Sequence, residues 1–530
     1  MGGASRMNDS RRRHGRSSRH ARDVLGRDGV ALLTAAEAAA YDVRAREHAG
    51  IPERVLMENA GRAAAHLVHA HYPAGPIVAL AGTGNNGGDA LVALRALHTW
   101  GREVLLVPTG VRPPADELRH EHTIPVATGT AAETALAGAS VVLDGILGTG
   151  ARGAPRGASA EWIVRLTESG RPVVALDLPS GIDATTGDVP GTVVRAELTV
   201  TFGWPKLGML LQPARQQCGR IIAVEIGFPL LSSFGAELIT PGRARSRLPA
   251  RAPDAHKASA GRLLLLAGSS GMAGAAVMAG QAAQRAGAGL VRVASAAGNR
   301  AIVQRSMPEA TWVDAARLDA AAMQGINALI AGPGLGTTDA ARASLQAALE
   351  LTAGVPTLLD ADALNLVAGT DVLRTTAATR PLLITPHPGE MARLLATTAA
   401  EVSARPLEAA RAAAETFDCT VLLKGQPSIV AQRGVPTLVA AGGSSDLASA
   451  GMGDHLAGVA GALLAAGAPP RDAAGVALHY SGRAAVLAGL GRSLSPRDVT
   501  RALPRALADP GAELPPAAFP YIVFDQPARW

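Results

Sequence analysis

Ile77-Val78-Ala79-Leu80-Ala81-Gly82-Thr83-Gly84-Asn85-Asn86-Gly87-Gly88-Asp89, followed by the apolar run Ala90 to Leu97, decides the fold. Five apolar residues ending at a glycine read as a buried strand, and Ala90 to Leu97 reads as a helix. A strand, a glycine loop and a helix in succession put a ligand's phosphates at a helix N-terminus. A GxG alone is a weak signal. Here it continues into two asparagines and an aspartate, whose side-chain oxygens can coordinate a cation or hydrogen-bond a ribose. The blander reading is a turn made of turn formers, with Asp89 favouring the helix dipole by about 0.3–1 kcal/mol.

Upstream, Leu32 to Ala45 and Pro52 to Ala70 carry helical spacing, the second including Met57-Glu58-Asn59-Ala60-Gly61. Downstream, Glu103 to Val107, Val141 to Leu143 and Val173 to Leu176 read as strands, and the last two run into Asp144 and Asp177. Ligands of an open parallel sheet bind beyond the carboxyl ends of its strands, so the asparagine loop, Asp144 and Asp177 are expected to share one crevice. Glu161 to Thr167 suits the crossover helix, and strands Glu197 to Phe202 and Ile221 to Val224 flank Gly203-Trp204-Pro205-Lys206 and close this sheet. Thr240 to His256, rich in Pro, Arg and Ala without periodicity, reads as a boundary.

Beyond it the apolar strand, polar loop and helix pattern starts again. Leu263 to Ala267 leads into a small-residue loop at Gly274-Ala275, Ala328 to Ala331 into Gly332 to Gly336, Thr357 to Leu359 into Asp360 to Asn365, and Leu382 to Thr385 into Pro386-His387-Pro388-Gly389-Glu390. Cys419 to Leu423 ends on Lys424-Gly425-Gln426-Pro427-Ser428, and Ser428 to Val430 with Thr437 to Val439 suit a hairpin. Ala448-Ser449-Ala450-Gly451-Met452-Gly453-Asp454-His455-Leu456 then enters an Ala-rich buried helix to Ala466. Its glycines free backbone N–H groups for an anion at a dipole's positive end. Asp454 beside such a site is repelled by phosphate unless it accepts a proton or holds a metal; as a mere helix cap it would contribute about 0.5–2 kcal/mol. His387 between prolines could only shape a turn, and Asp360 and Asp362 could only cap a helix.

Composition narrows the choice. The chain has 530 residues, enough for two or three domains, with 48% apolar and 3% aromatic residues. Its net charge is +6, yet residues 1–28 hold eight Arg against three Asp, which is +5 of that total. The remainder is nearly neutral, so a nucleic-acid groove is not expected. Residues 1–28 lack apolar residues for a core and for a secretory h-region, and read as a disordered tail. The apolar stretch Leu456 to Ala468 is too short to cross a bilayer. Cys218 and Cys419, far apart, indicate neither a disulfide framework nor a thiolate metal site, and a reducing cytoplasm is expected. Only three of 50 basic residues are lysine, namely Lys206, Lys257 and Lys424. In so Arg-rich a chain, a retained lysine suggests a place that wants a compact ammonium.

Taken together, these motifs resemble the NAD(P)H-hydrate repair family. Leu32 to Phe228 resembles its epimerase domain through Met57 to Gly61, Asn85 to Asp89, Asp144 to Gly150, Asp177 to Gly181 and Phe202 to Lys206. Arg251 to Leu507 resembles its ADP-dependent dehydratase, of ribokinase-like fold, through His256-Lys257, Gly274-Ala275, Gly332 to Gly336, Asp360 to Asn365, His387 to Glu390, Lys424-Gly425 and Gly451 to Asp454. The resemblance implies an α/β chain of two domains, an N-terminal Rossmann-like αβα domain over 29–239 and a C-terminal ribokinase-like αβα domain over 257–510. A linker over 240–256 and tails at 1–28 and 511–530 complete it.

It also implies roles. Asn86, Asp144 and Ser180 would hold a potassium ion; Asn85, Asn86, Gly87, Gly88 and Asp89, with Gly148, Thr149, Gly150, Ala151, Arg152, Gly153 and Ala154, would bind the hydrated dinucleotide; and Asp177 would be its acid/base. Ala275, Gly334, His387 and Asp454 would face the hydrated nicotinamide, with Asp454 as general base. Lys424, Gly425, Gln426, Pro427, Ser428 and Gly453 would hold ADP, or alternatively ATP, with Mg2+ on the phosphates. Partners would be hydrated NADH or NADPH and ADP, in a cytoplasmic homo-oligomer without nucleic acid or membrane. The sequence departs from the family at Ala90, Ser444, Asp446 and His455. The rival readings are a small-alcohol kinase fused to a dinucleotide-binding module, and an inactive nucleotide sensor.

Overall fold

The computed structural model describes residues 30–112, 124–231, 233–254, 260–441, 445–509 and 522–526. The tail 1–28, His256, Lys257, Ser444 and most of 511–530 lie outside them. The chain's first strand, β1 (Val30–Leu32), does not join the sheet of the glycine loop. That sheet comprises β2 (Ile77–Ala81), β3 (Val104–Pro108), β4 (Val141–Gly145), β5 (Val173–Leu176), β6 (Leu198–Phe202), β7 (Arg220–Val224) and β18 (Ile522–Gln526), in the order β18-β7-β6-β5-β4-β2-β3. β2 to β7 are parallel, as expected of strands apolar on both faces. β18 is not: it runs antiparallel along β7, so the C-terminal segment extends a sheet that the sequence reading closed at β7.

The second sheet gathers β8 (Ala236–Leu238), β9 (Arg262–Leu266), β10 (Leu290–Ser295), β11 (Thr311–Asp314), β12 (Ala328–Ala331), β13 (Thr357–Leu359), β14 (Leu382–Ile384), β15 (Thr420–Leu423), β16 (Ser428–Ala431) and β17 (Thr437–Ala440). Its order is β1-β8-β17-β16-β15-β14-β13-β12-β9-β10-β11. β9 to β15 are parallel along β11-β10-β9-β12-β13-β14-β15, and β16 and β17 form the expected antiparallel hairpin. β1 and β8 therefore lie in the second sheet although they belong to the first half of the sequence. Immediately after β1, Leu33 donates its N–H to Pro205 O (3.0 Å) and accepts from Leu207 N (2.8 Å), bracketing Lys206 of the first half.

Three element boundaries differ from the sequence reading, the first being the helix read from Leu32, which starts at Ala35 behind its cap Thr34 because Leu32 is paired in β1. The helix after β2 starts at Asn85, not Ala90, with Gly84 as its N-cap, so both asparagines and Asp89 are already helical. Small residues allow this: a Cβ on Gly87 would sit 2.0 Å from Gly82 O, so only glycine lets the helix begin against the strand's end. Pro241–Arg247, within the stretch read as aperiodic, is a short helix capped by Thr240 with proline in its first turn. The helix after the last glycine loop runs from Met452 to Ala465 and packs on Ala273–Arg285, where Gly458 approaches Ala279 O more closely than any Cβ would permit.

Candidate functional site

The first sheet builds its site where strand order reverses, β2 between β3 and β4, whereas the second gathers its charged residues beyond the carboxyl ends of β13, β14 and β15, to one side of its own reversal at β9. In the first, a cavity of about 620 Å3 is lined by Asn85, Asn86 and Asp89, by Gly148 to Arg152, and by Asp177 and Lys206. Gly87, Gly88, Gly153 and Ala154 are not among its lining residues. Asp177 adopts φ +64° just after β5, a left-handed turn that an aspartate tolerates better than most side chains. Its carboxylate accepts from Lys206 Nζ and Thr149 Oγ1, and from Phe202 N at 3.4 Å. Burial pushes this carboxyl up, but the Lys206 ammonium and those donors outweigh it and hold Asp177 below the usual carboxylate range. Lys206 is itself buried and held by Thr201 Oγ1 (3.1 Å) and Phe202 O (3.0 Å).

Beneath the lining, Asp144 is fully buried at the end of β4. It accepts from Ser180 N (2.8 Å), Ser180 Oγ (2.6 Å) and Ile146 N (3.2 Å). Burial pushes Asp144 up to about 6, with the Ser180 and Ile146 hydrogen bonds opposing. Asn86 donates Nδ2 to Leu147 O (2.8 Å), while its Oδ1 is buried without a hydrogen-bond partner. Leu147 joins this side chain to Ser180, donating its N–H to Ser180 Oγ (2.9 Å), and an orphaned carbonyl oxygen in one cluster with a carboxylate and a hydroxyl is an oxygen-only donor set of the kind a hard cation takes. Asn86, Asp144 and Ser180 thus fit a potassium ion. Asp89 is not a dipole-facing cap: it is buried five residues into the helix, and burial, then Asp177 and Asp42, raise it well above the ordinary value.

The second site is organised by Lys424 at the end of β15. Its Nζ lies 2.8 Å from Asp360 Oδ1 and 3.8 Å from Glu390 Oε2. Burial works against this ammonium, yet Asp360, Glu390 and Asp454 raise its affinity for the proton. A Cβ on Gly453 would stand 3.5 Å from Lys424 Nζ and 3.9 Å from Asp360 Oδ2, so Gly453, Lys424 and Asp360 converge. The helix N-cap is Gly451, φ +85°, and no side chain caps it. Asp454, in the third helical position, is therefore not a capping group; Met452 N turns back onto Ser449 O (3.2 Å), and the N–H groups of Gly453 and Asp454 stay available to an anion. Burial and then Asp360 push Asp454 up to about 7, against the pull of Lys424.

Asp360 and Asp362 do not cap their helix either; Asp362 Oδ2 accepts from Gly336 N (2.8 Å). His387 does cap: Nδ1 accepts from Gly389 N (3.0 Å) and Glu390 N (3.3 Å), leaving Nε2 to carry the proton 3.3 Å from Glu390 Oε1. Half of its side chain is exposed, so capping does not use it up. Gly334, φ +56°, lies against Ala275, and Gly425 to Ser428 form a turn closed by Ser428 Oγ on Gly425 O (3.0 Å). His455 turns away into the core, bonded to Thr500 Oγ1 (2.8 Å) and Ser481 Oγ (3.2 Å). Sequence reasoning missed Glu390 as a partner of Lys424 and Asp42 as a cavity residue; Asp42 sits four positions after Ala38 on the helix Ala35–Glu47, a helical spacing that carries the signal.

Comparisons with known proteins agree with this division. Residues 263–505 match a family model described as NAD(P)H-hydrate dehydratase, and residues 53–208 match one described as YjeF-related protein N-terminus. The bifunctional NAD(P)H-hydrate repair enzyme of Moorella thermoacetica is 36% identical over 486 residues, covering 86% of this chain and 91% of that one. Its counterpart from Coxiella burnetii is 35% identical over 432 residues, covering 78% and 86%. Among solved structures, the ADP/ATP-dependent NAD(P)H-hydrate dehydratase of Bacillus subtilis, co-crystallised with ATP/Mg2+, matches at 28% identity and TM-score 0.46, covering 51% of this chain and 97% of that one. With a relative this similar matched over nine-tenths of its length, the chain belongs to the bifunctional NAD(P)H-hydrate repair enzymes, an epimerase joined to a dehydratase.

Proposed function

We propose that this chain returns hydrated NADH and NADPH to the working coenzymes in two steps. The first lobe interconverts the R and S forms at C6 of the nicotinamide ring, with Asp177 as the proton-moving group. The second dehydrates the S form with ADP, or ATP in its place. There, Asp454 takes the proton of the C6 hydroxyl as that oxygen attacks the terminal phosphorus of ADP and AMP departs. The phosphate ester then leaves as phosphate with loss of a C5 proton, which restores the ring double bond. Lys424 and the uncapped helix start at Gly451 stabilise charge on the transferring phosphoryl group.

The observation that carries this reading is the second aspartate's setting. Asp454 is poised near neutrality, where a general base works best, at a helix N-terminus with a buried lysine beside it. Potassium, held by Asn86, Asp144 and Ser180, would supply fixed positive charge near the substrate's phosphates, and Mg2+ would enter with the nucleotide. Cys218 and Cys419, both buried and unpaired, support a reducing cytoplasm, where we place the enzyme as a homo-oligomer. Asp454→Asn tests the assignment: dehydration of the S form is expected to fall about 10²–10⁴-fold with epimerisation intact. Asp177→Ala is expected to do the reverse, and normal dehydration by the Asp454 variant refutes the role given to it.

A further inference from the structure

The geometry points to Asp42 as a second catalytic carboxyl of the first cavity, the proton donor to the departing C6 hydroxyl, working opposite in role to Asp177. This rests on the epimerase reading above. The helix Ala35–Glu47 turns Ala35, Ala38, Ala39, Asp42 and Arg46 into the cavity at three- and four-residue spacing. This helix's share of the wall is four alanine methyls with Tyr41 and Arg46, and Asp42 is its one carboxyl. Asp177 enters the same cavity from the end of β5. Epimerising a carbinolamine needs both tasks at once, an acid where hydroxyl leaves and a base where water arrives.

The two carboxyls are in contrasting states. Asp177 is saturated with donors, from Lys206, Thr149 and Phe202 N. The Asp42 carboxyl makes no hydrogen bond or ion pair among the described residues; the one side chain that reaches the residue is Arg46, whose Nε donates to the Asp42 backbone O at 3.4 Å. The groups facing it are Lys206, Asp177, Arg46, Glu53 and the buried Asp89; enclosure by the cavity is the largest influence and raises its affinity for the proton, Lys206 opposes it, and Asp177 adds to it. A pair of titratable groups pushed apart by their surroundings is the arrangement acid/base chemistry uses.

The step balances. The Asp42 proton goes to the C6 hydroxyl, the C6–O bond breaks with its electron pair on oxygen, and the N1 lone pair closes a C6=N1 bond as water departs. Water then adds to the other face, the C6=N1 pair returns to nitrogen, and Asp177 takes the surplus proton, which exchanges back to Asp42 through solvent. Running backwards, Asp177 is the acid and Asp42 the base.

The test uses the full chain carrying Asp42→Asn or Asp42→Ala, pure R-hydrate of NADH, and chromatographic separation of the two forms. A fall in epimerisation kcat of about 10²–10³-fold is expected, with KM changed less than threefold. Loss of the alkaline limb from the residual rate's pH profile, and solvent oxygen-18 entering the C6 hydroxyl in step with epimerisation by the unsubstituted chain, are also expected. Dehydration of the S form by the same variants, expected at the unsubstituted rate, reports that they fold. A kcat within threefold of the unsubstituted chain, a loss confined to KM, a retained alkaline limb, or epimerisation without oxygen exchange overturns the role of Asp42. Failure of the unsubstituted chain to interconvert the forms overturns instead the epimerase reading itself.

Discussion

Two aspartates in one chain are set to opposite protonation preferences by what touches them. Lys206 and a ring of donors keep Asp177 ionised, whereas enclosure and a neighbouring carboxylate lift Asp454 to about 7. The proposed roles then predict different pH profiles. Dehydration of the S form is expected to rise with pH through about 7, as Asp454 loses its proton, while epimerisation keeps its rate on the acid side of neutrality; stopped-flow kcat/KM for each reaction from pH 5 to 9 checks this. His455 offers a test of stability instead. Burial lowers it to about 4 from its ordinary 6.5. Between those values the unfolded chain binds the extra proton, so this contribution is complete above pH 6.5 and is lost as pH falls towards 4, about 3 kcal/mol in all. His455→Leu is expected to flatten that part of the urea-unfolding stability measured at pH 4.5 and 7.5. The sequence marks His455 only as a departure from the family; that it packs against Ser481 and Thr500, away from the glycine loop, depends on helices distant in the chain.

At the level of elements, both sites depend on glycines that bring a strand's end against a helix start. Gly332 is the sharpest case: φ is +129°, and a Cβ there would lie 1.7 Å from Asp360 O, the backbone that aims Asp360 at Lys424. Gly332→Ala is expected to cost roughly 2–4 kcal/mol and to depress dehydration while epimerisation persists, measured by urea unfolding and the two activities. The parallel strands were legible because runs such as Ile77–Ala81 and Leu263–Ala267 are apolar on both faces and end in loops of polar and small residues. The start of the Asn85 helix was not, since Asn-Asn-Gly-Gly has poor helix propensity and is held by contact with Gly82 and β4. Three-residue strands such as β1 and β8 carry no periodicity to read, and only their partners define them.

Across the whole molecule, the halves exchange strands. β1 and β8 extend the second sheet, β18 extends the first, and Leu33, directly after β1, brackets the lysine that holds Asp177. Arg405 adds a two-pronged ion pair to Asp188 at 2.8 and 2.9 Å, solvent-exposed and worth no more than about 1 kcal/mol. The convergence of the asparagines, Asp144 and Asp177 could be read from strand ends; the exchange could not, because it joins segments roughly two to three hundred residues apart by backbone hydrogen bonds that leave no side-chain pattern. Two catalytic centres in one such body imply that the form the dehydratase cannot use is delivered to it by the epimerase. The most direct test follows near-ultraviolet absorbance when the purified full chain meets a mixture of both hydrates of NADH, with and without ADP. The account predicts complete recovery of dihydronicotinamide absorbance only with nucleotide, with AMP and phosphate formed one for one; recovery of half the hydrate, or accumulation of a stable phosphorylated product, contradicts it.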